Sequence, residues 1–331
     1  MDDLRAALAW ALERLEEPSR LELALSLVQS VGYVWYTRGR TREALSWLDQ
    51  LRAAGDGGPP DLRGVLLYWF GAFATRQGRT EQAAEAYQAA VELFAAQGDA
   101  SRVARTVNAL GSLAASVGDN AEARRRWNEA LALVRQDDSP DAPHTEAFVT
   151  ANLGDLAFDE GDLAAARELL ERAIAMLRPR GDRWAIAIVQ RYLARVLAAQ
   201  GEPATAYGLL AESLSLLRAW SERTELADTL EILATLAARE GEVERVVRLL
   251  GGAAAIRSAA GSPLAGYQRV RLAEALAPAS AALGRDVLLV AAEDVAAGRA
   301  MTFDQALDHA AAWAGQRSHD PGGHRRPAPG R

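Results

Sequence analysis

The sequence predicts an all-α protein: an α-solenoid (right-handed superhelix) of about six helix pairs of about 40 residues, closed by a C-terminal helical cap. Three observations predict it. A glycine followed by a polar residue recurs at Gly39-Arg40, Gly78-Arg79, Gly118-Asp119, Gly161-Asp162, Gly201-Glu202 and Gly241-Glu242, at spacings of 39, 40, 43, 40 and 40 residues. Small residues keep phase with it: Gly32, Gly71, Gly111, Gly154, Ala194 and Ala234 seven positions before, and Ala44, Ala83, Ala123, Ala166, Ala206 and Val246 five positions after. No segment shows the period-two alternation of a strand.

Residues 1–17 form a helix leading into the array. Leu4, Leu8, Ala11, Leu12 and Leu15 are interleaved with Arg5, Glu13, Arg14 and Glu16, which is an amphipathic pattern rather than the unbroken apolar run of a signal peptide. The array spans 18–261. In each period the small residue of the first helix faces that of the second, since helices approach to about 8 Å only where the contacting side chains are small. Bulk comes from Val31, Phe70, Leu110, Leu153, Leu193 and Leu233 on the first helices, and from Leu48, Tyr87, Trp127, Leu170, Leu210 and Leu250 on the second. The glycine between them is the left-handed turn residue. A second turn falls at Gly98-Asp99, Gly181-Asp182 and, degenerate, Ser221-Glu222. Two loops, GDGGPPD at 55–61 and DDSPDAP at 137–143, carry the chemistry of surface connections. The cap spans 262–314, with Ser262-Pro263 as N-cap and first helical residue. Thr302 with Gln305 makes a capping box for a last helix to about Ala314. The tail, 315–331, has no apolar periodicity and is expected to be disordered.

This small–large code resembles that of the tetratricopeptide repeat (TPR), although the standard unit is about 34 residues and closes on a proline missing here. Armadillo and HEAT units share the longer period but not the Gly/Ala register. Four segments are similar to the region that follows the ATPase module in LuxR/AfsR-type bacterial transcriptional regulators: LRAALAWALER from Leu4, ANLGDLAFDEGDLAAARELLERAIAMLR from Ala151, RLLGGAAAIRSAAGSPL from Arg248 and MTFDQALDHA from Met301. The resemblance implies the sensor half of such a signal-transduction ATPase, without the ATPase and DNA-binding domains, acting in cis or in trans with that module and holding it off until an effector or partner binds.

Composition excludes several chemistries. Among 331 residues there is no cysteine, so no disulfide, thiolate nucleophile or thiolate metal site. All 37 basic residues are arginine, so neither a Walker A loop nor a Schiff-base lysine is available. The net charge of −7 argues against a polyanion binder. His144, His309, His319 and His324 fit no metal motif, and Asp308-His309 lacks a nucleophile. The carboxylate pairs Glu16-Glu17 and Asp137-Asp138 fall in polar turns, and Gly251-Gly252 follows no strand. Arg124-Arg125-Arg126 is flanked by Glu122 and Glu129 and reads as a solvated helix face, although an RNA-binding helical repeat is the third reading. Trp35 and Trp127 fall on core positions, whereas Trp69 and Trp184 have no place in the register.

What remains is the concave groove lined by first helices. The positions predicted to face it are Gln29, Tyr33 and Tyr36, then Tyr68 and Arg76, then Arg105, Asn108 and Ser112. Asp155 and Asp159 follow, then Arg191 and Arg195, and finally Asp228, Glu231 and Arg239. Tyrosine and arginine are typical interface anchors, and Arg191 with Arg195, four apart, would fork a partner's carboxylate. The expected function is a non-enzymatic, cofactor-free interaction and sensor module that binds a peptide, protein or small effector. It is expected in the cytoplasm, with no direct contact to nucleic acid or membrane. A free-standing TPR adaptor is the alternative.

Overall fold

A computed structural model describes residues 2–54, 57–220, 223–264, 266–297 and 299–319. These hold seventeen α-helices and no strand. Helix α1 (Asp2–Leu12) leads in. Six pairs follow: α2 (Pro18–Thr37) with α3 (Thr41–Ala53), α4 (Pro60–Arg76) with α5 (Thr80–Ala96), α6 (Ala100–Ser116) with α7 (Asn120–Val134), α8 (Ala142–Asp159) with α9 (Leu163–Leu177), α10 (Arg183–Ala199) with α11 (Pro203–Trp220), and α12 (Arg223–Arg239) with α13 (Val243–Ala260). Four more close the chain: α14 (Gly266–Ala275), α15 (Ala277–Leu283), α16 (Val287–Ala296) and α17 (Phe303–His319). The chain divides into two compact units, one of residues 1–153 and 257–270, the other of 154–256 and 271–331.

Every first helix ends in the same way. At Gly118 the backbone turns left-handed, with φ +85°. Its N–H donates to the Ala115 carbonyl, and the following Asp119 N–H reaches back to Ala114, each at 3.0 Å. This is the Schellman pattern, and it recurs at the other five turn glycines. Asp119 then caps the next helix by accepting from the Glu122 N–H at 3.0 Å, and Asp99, Asp162 and Asp182 do the same for α6, α9 and α10. The glycine stops one helix and the aspartate starts the next. The degenerate turn at Ser221-Glu222 lies outside the described residues, as do Gly55 and Asp56 of the first loop.

The contact inside each pair differs from the expected small-to-small apposition. A Cβ added at Gly71 would stand 2.7 Å from the Tyr87 ring, one at Gly111 2.6 Å from Trp127, and one at Gly154 2.9 Å from Leu170. The small residue therefore receives the large residue sixteen positions on, and the two small residues merely flank that contact. Gly32 is different: it receives Trp69 of the following pair, which gives that tryptophan its place. Trp184 is buried too.

The C-terminal end departs from the reading of the sequence at two points. Ser262 does not cap a helix. It follows Gly261, which closes α13 with φ +66° in another Schellman turn, and α14 begins only at Gly266. The capping box does form, with Thr302 N–H to Gln305 Oε1 at 3.0 Å and Gln305 N–H to Thr302 Oγ1 at 3.4 Å. The helix it opens runs past Ala314 to His319, because Trp313 packs edge-on against Tyr207 of α11 and Arg317 pairs with Glu240 at 3.0 Å. Residues 320–331, with His324, lie outside the described residues.

Two glycine substitutions should move stability in opposite directions. Gly111→Ala drives a methyl into Trp127 and is expected to cost about 1–3 kcal/mol. Gly208, in the middle of α11, has only the Ser318 Cβ within reach at 3.7 Å. Gly208→Ala should therefore stabilise by roughly 0.5–1 kcal/mol. Urea melts of the two variants beside the unaltered chain check both signs.

Candidate functional site

The outward faces of the first helices differ between the two units. In the first unit the face is aromatic. Tyr36 of α2 lies 5.9 Å from both Trp69 and Phe73 of α4, ring centre to ring centre. The Arg76 guanidinium lies over the Tyr36 ring at 3.7 Å and donates to the Tyr36 carbonyl at 2.9 Å. One repeat on, Arg105 of α6 lies over Tyr68 at 4.6 Å. Burial pushes the Tyr68 phenol above its ordinary range, the Arg105 charge opposing, so Tyr68 is a neutral platform at any physiological pH. Beyond it the surface turns polar: the Asn152 amide of α8 donates to Asn108 Oδ1 at 2.9 Å and to Ser112 Oγ at 3.3 Å. Tyr33 and Gln29 stand exposed at the start of the row. The expected positions in this unit thus form a continuous surface with two guanidinium groups and no carboxylate.

In the second unit the expected positions are closed on one another. Arg191 is only 2% exposed, bound to Glu225 at 2.6 Å and to Asp228 at 3.2 Å. Arg195 meets Asp155 at 2.5 Å and Asp159 at 3.3 Å, and covers Phe158. Arg271 of α14 also pairs with Asp159. The two arginines expected to take a partner's carboxylate are held by carboxylates of this chain, because α8 and α12 bring their acidic side chains into register with Arg195 and Arg191 of α10. Glu231 is half-buried and Arg239 exposed.

Four participants were missed: Asn152, Tyr192 under the Arg191 guanidinium, Glu225 and Arg271. Asn152 and Tyr192 stand two positions before their repeat's small residue, in the same phase as Trp69. Trp69 packs against α2 and Asn152 against α6, each the first helix of the preceding pair. The misplaced Trp69 was itself the signal for that register. Glu225 and Arg271 carry no such mark.

The remaining candidates are structural. Arg125 and Arg126 both bind Glu122, whose carboxyl they hold at about 2, and Glu129 lies 3.6 Å from each. Asp308 pairs with Arg218, and His309 is pushed below the usual imidazole range by burial and by Arg245 and Arg248. His144 lies edge-on to Phe148. Among the described residues no group of three acidic or histidine side chains is placed to hold a metal, and no helix is long and apolar enough to cross a membrane.

Two measurements probe the closed network. Arg191→Ala leaves the Glu225 carboxylate buried without its partner, and should cost roughly 3–5 kcal/mol, read as a lower urea midpoint. Asp159 titrates at about 6, since burial and the neighbouring Asp155 raise its carboxyl more than Arg271 and Arg195 lower it. A raised carboxyl means the fold binds that proton more tightly than the unfolded chain does. Its stabilising contribution is complete below 3.8 and is lost as the pH rises through about 6. The Tm of Asp159→Asn minus that of the unaltered chain should therefore climb between pH 4 and pH 7. A difference that stays flat contradicts the assignment.

The comparisons with known proteins follow the same fold. The family model described as the MalT-like TPR region matches residues 60–294. No curated protein matches the chain. The solved structure of a Rap protein complexed with competence and sporulation factor is similar over 96% of this chain and 97% of that one, at 14% identity and a TM-score of 0.56. The apo quorum sensor NprR from B. thuringiensis is similar over 88% of this chain and 86% of that one, at 15% identity and a TM-score of 0.53. With the register, the turns and the family match in agreement, the chain belongs to the MalT-like TPR region family.

Proposed function

We propose that this chain is the sensor module of a LuxR/AfsR-type signal-transduction regulator, working in the cytoplasm with an ATPase and DNA-binding module in cis or in trans. Its task is non-enzymatic: it takes up a peptide or protein segment on the first-helix face of the first unit. One observation carries the reading. Tyr36, Tyr68, Arg105, Asn108, Ser112 and Asn152 form a continuous row of rings, a guanidinium and amides with no carboxylate among them. Rings supply contact area at low entropic cost, while the amides suit the N–H and C=O groups of an extended backbone. Membership of the MalT-like TPR region family supports a sensor role. A fold shared with the Rap protein, solved with competence and sporulation factor, and with the quorum sensor NprR supports a signal-receiving one. The closed arginine–carboxylate face of the second unit serves as scaffold.

Phage-displayed random 12-residue peptides selected on the full chain test this. Enriched peptides should bind Asn152→Ala and Arg105→Ala at least ten times more weakly, about 1.4 kcal/mol, and bind Arg239→Ala unchanged. If no peptide is enriched, or the variants bind as tightly as the unaltered chain, the reading falls.

A further inference from the structure

Residues 257–270 belong to the first unit, although the chain on both sides of them belongs to the second. Within the first unit they pass the inter-helix turns of three successive repeats in order. At the first turn the Arg42 guanidinium donates to the Ser258 carbonyl at 3.0 Å, and Gly261 lies so close to the Arg42 side chain that a Cβ there would overlap it. At the second turn the buried Ser262 hydroxyl donates to the Arg76 carbonyl at 3.2 Å. At the third the Tyr267 ring lies on Gly118, where a Cβ would stand 2.8 Å from Cδ2. Four residues separate Ser258 from Ser262 and five separate Ser262 from Tyr267, so each step meets one repeat.

The chemistry of the turns explains the fit. A helix leaves its last carbonyls without intrahelical partners, and Arg76 is the last residue of α4. A turn glycine carries no side chain, so a neighbouring segment can lie flat against it, as Tyr267 does at Gly118. The same two features recur along the array with the repeat itself. The attachment is also thin. Ala260 and Ser262 are buried and Leu264 and Tyr267 half-buried, but Pro263, Gly266, Gln268 and Arg269 are exposed and Val270 is 55% exposed, so no large apolar side chain of this segment is fully buried. Local opening is easiest where few buried apolar contacts hold a segment down.

We propose that the stretch made of residues 257–264 and 266–270 is an internal ligand of the first unit, occupying in cis a track along the turns of repeats one to three. A partner replaces them by presenting a helix end, a glycine turn and a helix start with the same order of groups, a glycine and hydroxyl followed five residues later by an aromatic ring. The track is built on the inter-helix turns and shares the Arg76 backbone with the first-helix face, so the inference stands apart from the peptide-binding reading of that face.

The probe is a fluorescent synthetic peptide of residues 257–271, RSAAGSPLAGYQRVR. The unaltered full chain, whose track is filled, should bind it at least ten times more weakly than a full chain carrying Ser262→Ala and Tyr267→Ala. Adding Arg42→Ala to that variant should weaken the binding again. Equal binding by variant and unaltered chain, or binding by neither, overturns the proposal. Hydrogen exchange on the unaltered chain supplies a readout that does not depend on the variant folding. Residues 258–271 should exchange by a local opening while α4 to α7 stay protected. Exchange of the segment together with those helices, in one step, would overturn the proposal as well.

Discussion

A large side chain seated on a glycine of its partner helix sets the geometry of the array. Tyr87 on Gly71, Trp127 on Gly111 and Leu170 on Gly154 hold each pair at the distance where the rest of its interface can close. Size is balanced at four of the six pairs. Where the second-helix residue is a tyrosine or tryptophan, the first helix gives a glycine. Where it shrinks to Leu210 or Leu250, the first helix has Ala194 or Ala234. The match is partial, since Leu170 also faces a glycine, Gly154. Each glycine in mid-helix costs backbone entropy of about 0.5–1 kcal/mol relative to alanine. Burial of an indole or phenol ring offsets this, and the Trp127 indole N–H also finds the Asn108 carbonyl at 3.2 Å.

Once that contact fixes the rotation of each first helix, the identity of its outward face is decided. The face two positions before the small residue leans on the preceding repeat, and its occupants tell the two units apart. Trp69 and Asn152 leave the neighbouring side chains open at their polar ends, giving a surface of rings and amides. In the second unit the corresponding neighbourhood holds Asp155, Asp159 and Asp228, and these meet Arg195 and Arg191. Buried ion pairs of this kind contribute little net stability, because desolvation nearly cancels the attraction, yet removing one partner is severe.

Much of this was legible in the sequence because it is local. The turn glycines, the capping box at Thr302 and the core tryptophans at 35 and 127 depend on residues within about one helix pair, and a period of 39 to 43 residues shows the turn glycine six times over. What was illegible depends on contacts between pairs. Arg191 reads as an exposed, available cation until α12 places Glu225 and Asp228 on it, more than thirty residues away. Ser262-Pro263 reads as a helix start because the dipeptide has that propensity. The structure instead uses the serine two residues after α13, where Gly261 has already reversed the chain and the hydroxyl meets Arg76. Local propensity lost to a tertiary contact separated by 186 residues. The end of α17 was misread for the same reason, since Trp313 and Arg317 find partners on α11 and beside α12 that no window of sequence contains.

The absence of lysine fits these contacts. Arg76 over Tyr36, Arg105 over Tyr68, Arg195 over Phe158 and Arg245 over Trp313 all use the flat face of the guanidinium while leaving its edge free to donate. Arg76 does both at once, covering the Tyr36 ring and donating to the Tyr36 carbonyl. An ammonium group is a compact, strongly hydrated charge that cannot stack, and it presents no planar fork. At these positions a lysine would keep the formal charge and lose the geometry. The net charge of −7 therefore describes the first-helix faces poorly. Their character is set by where each guanidinium lies: Arg76 and Arg105 of the first unit lie on tyrosine rings, whereas Arg191 and Arg195 of the second lie between carboxylates.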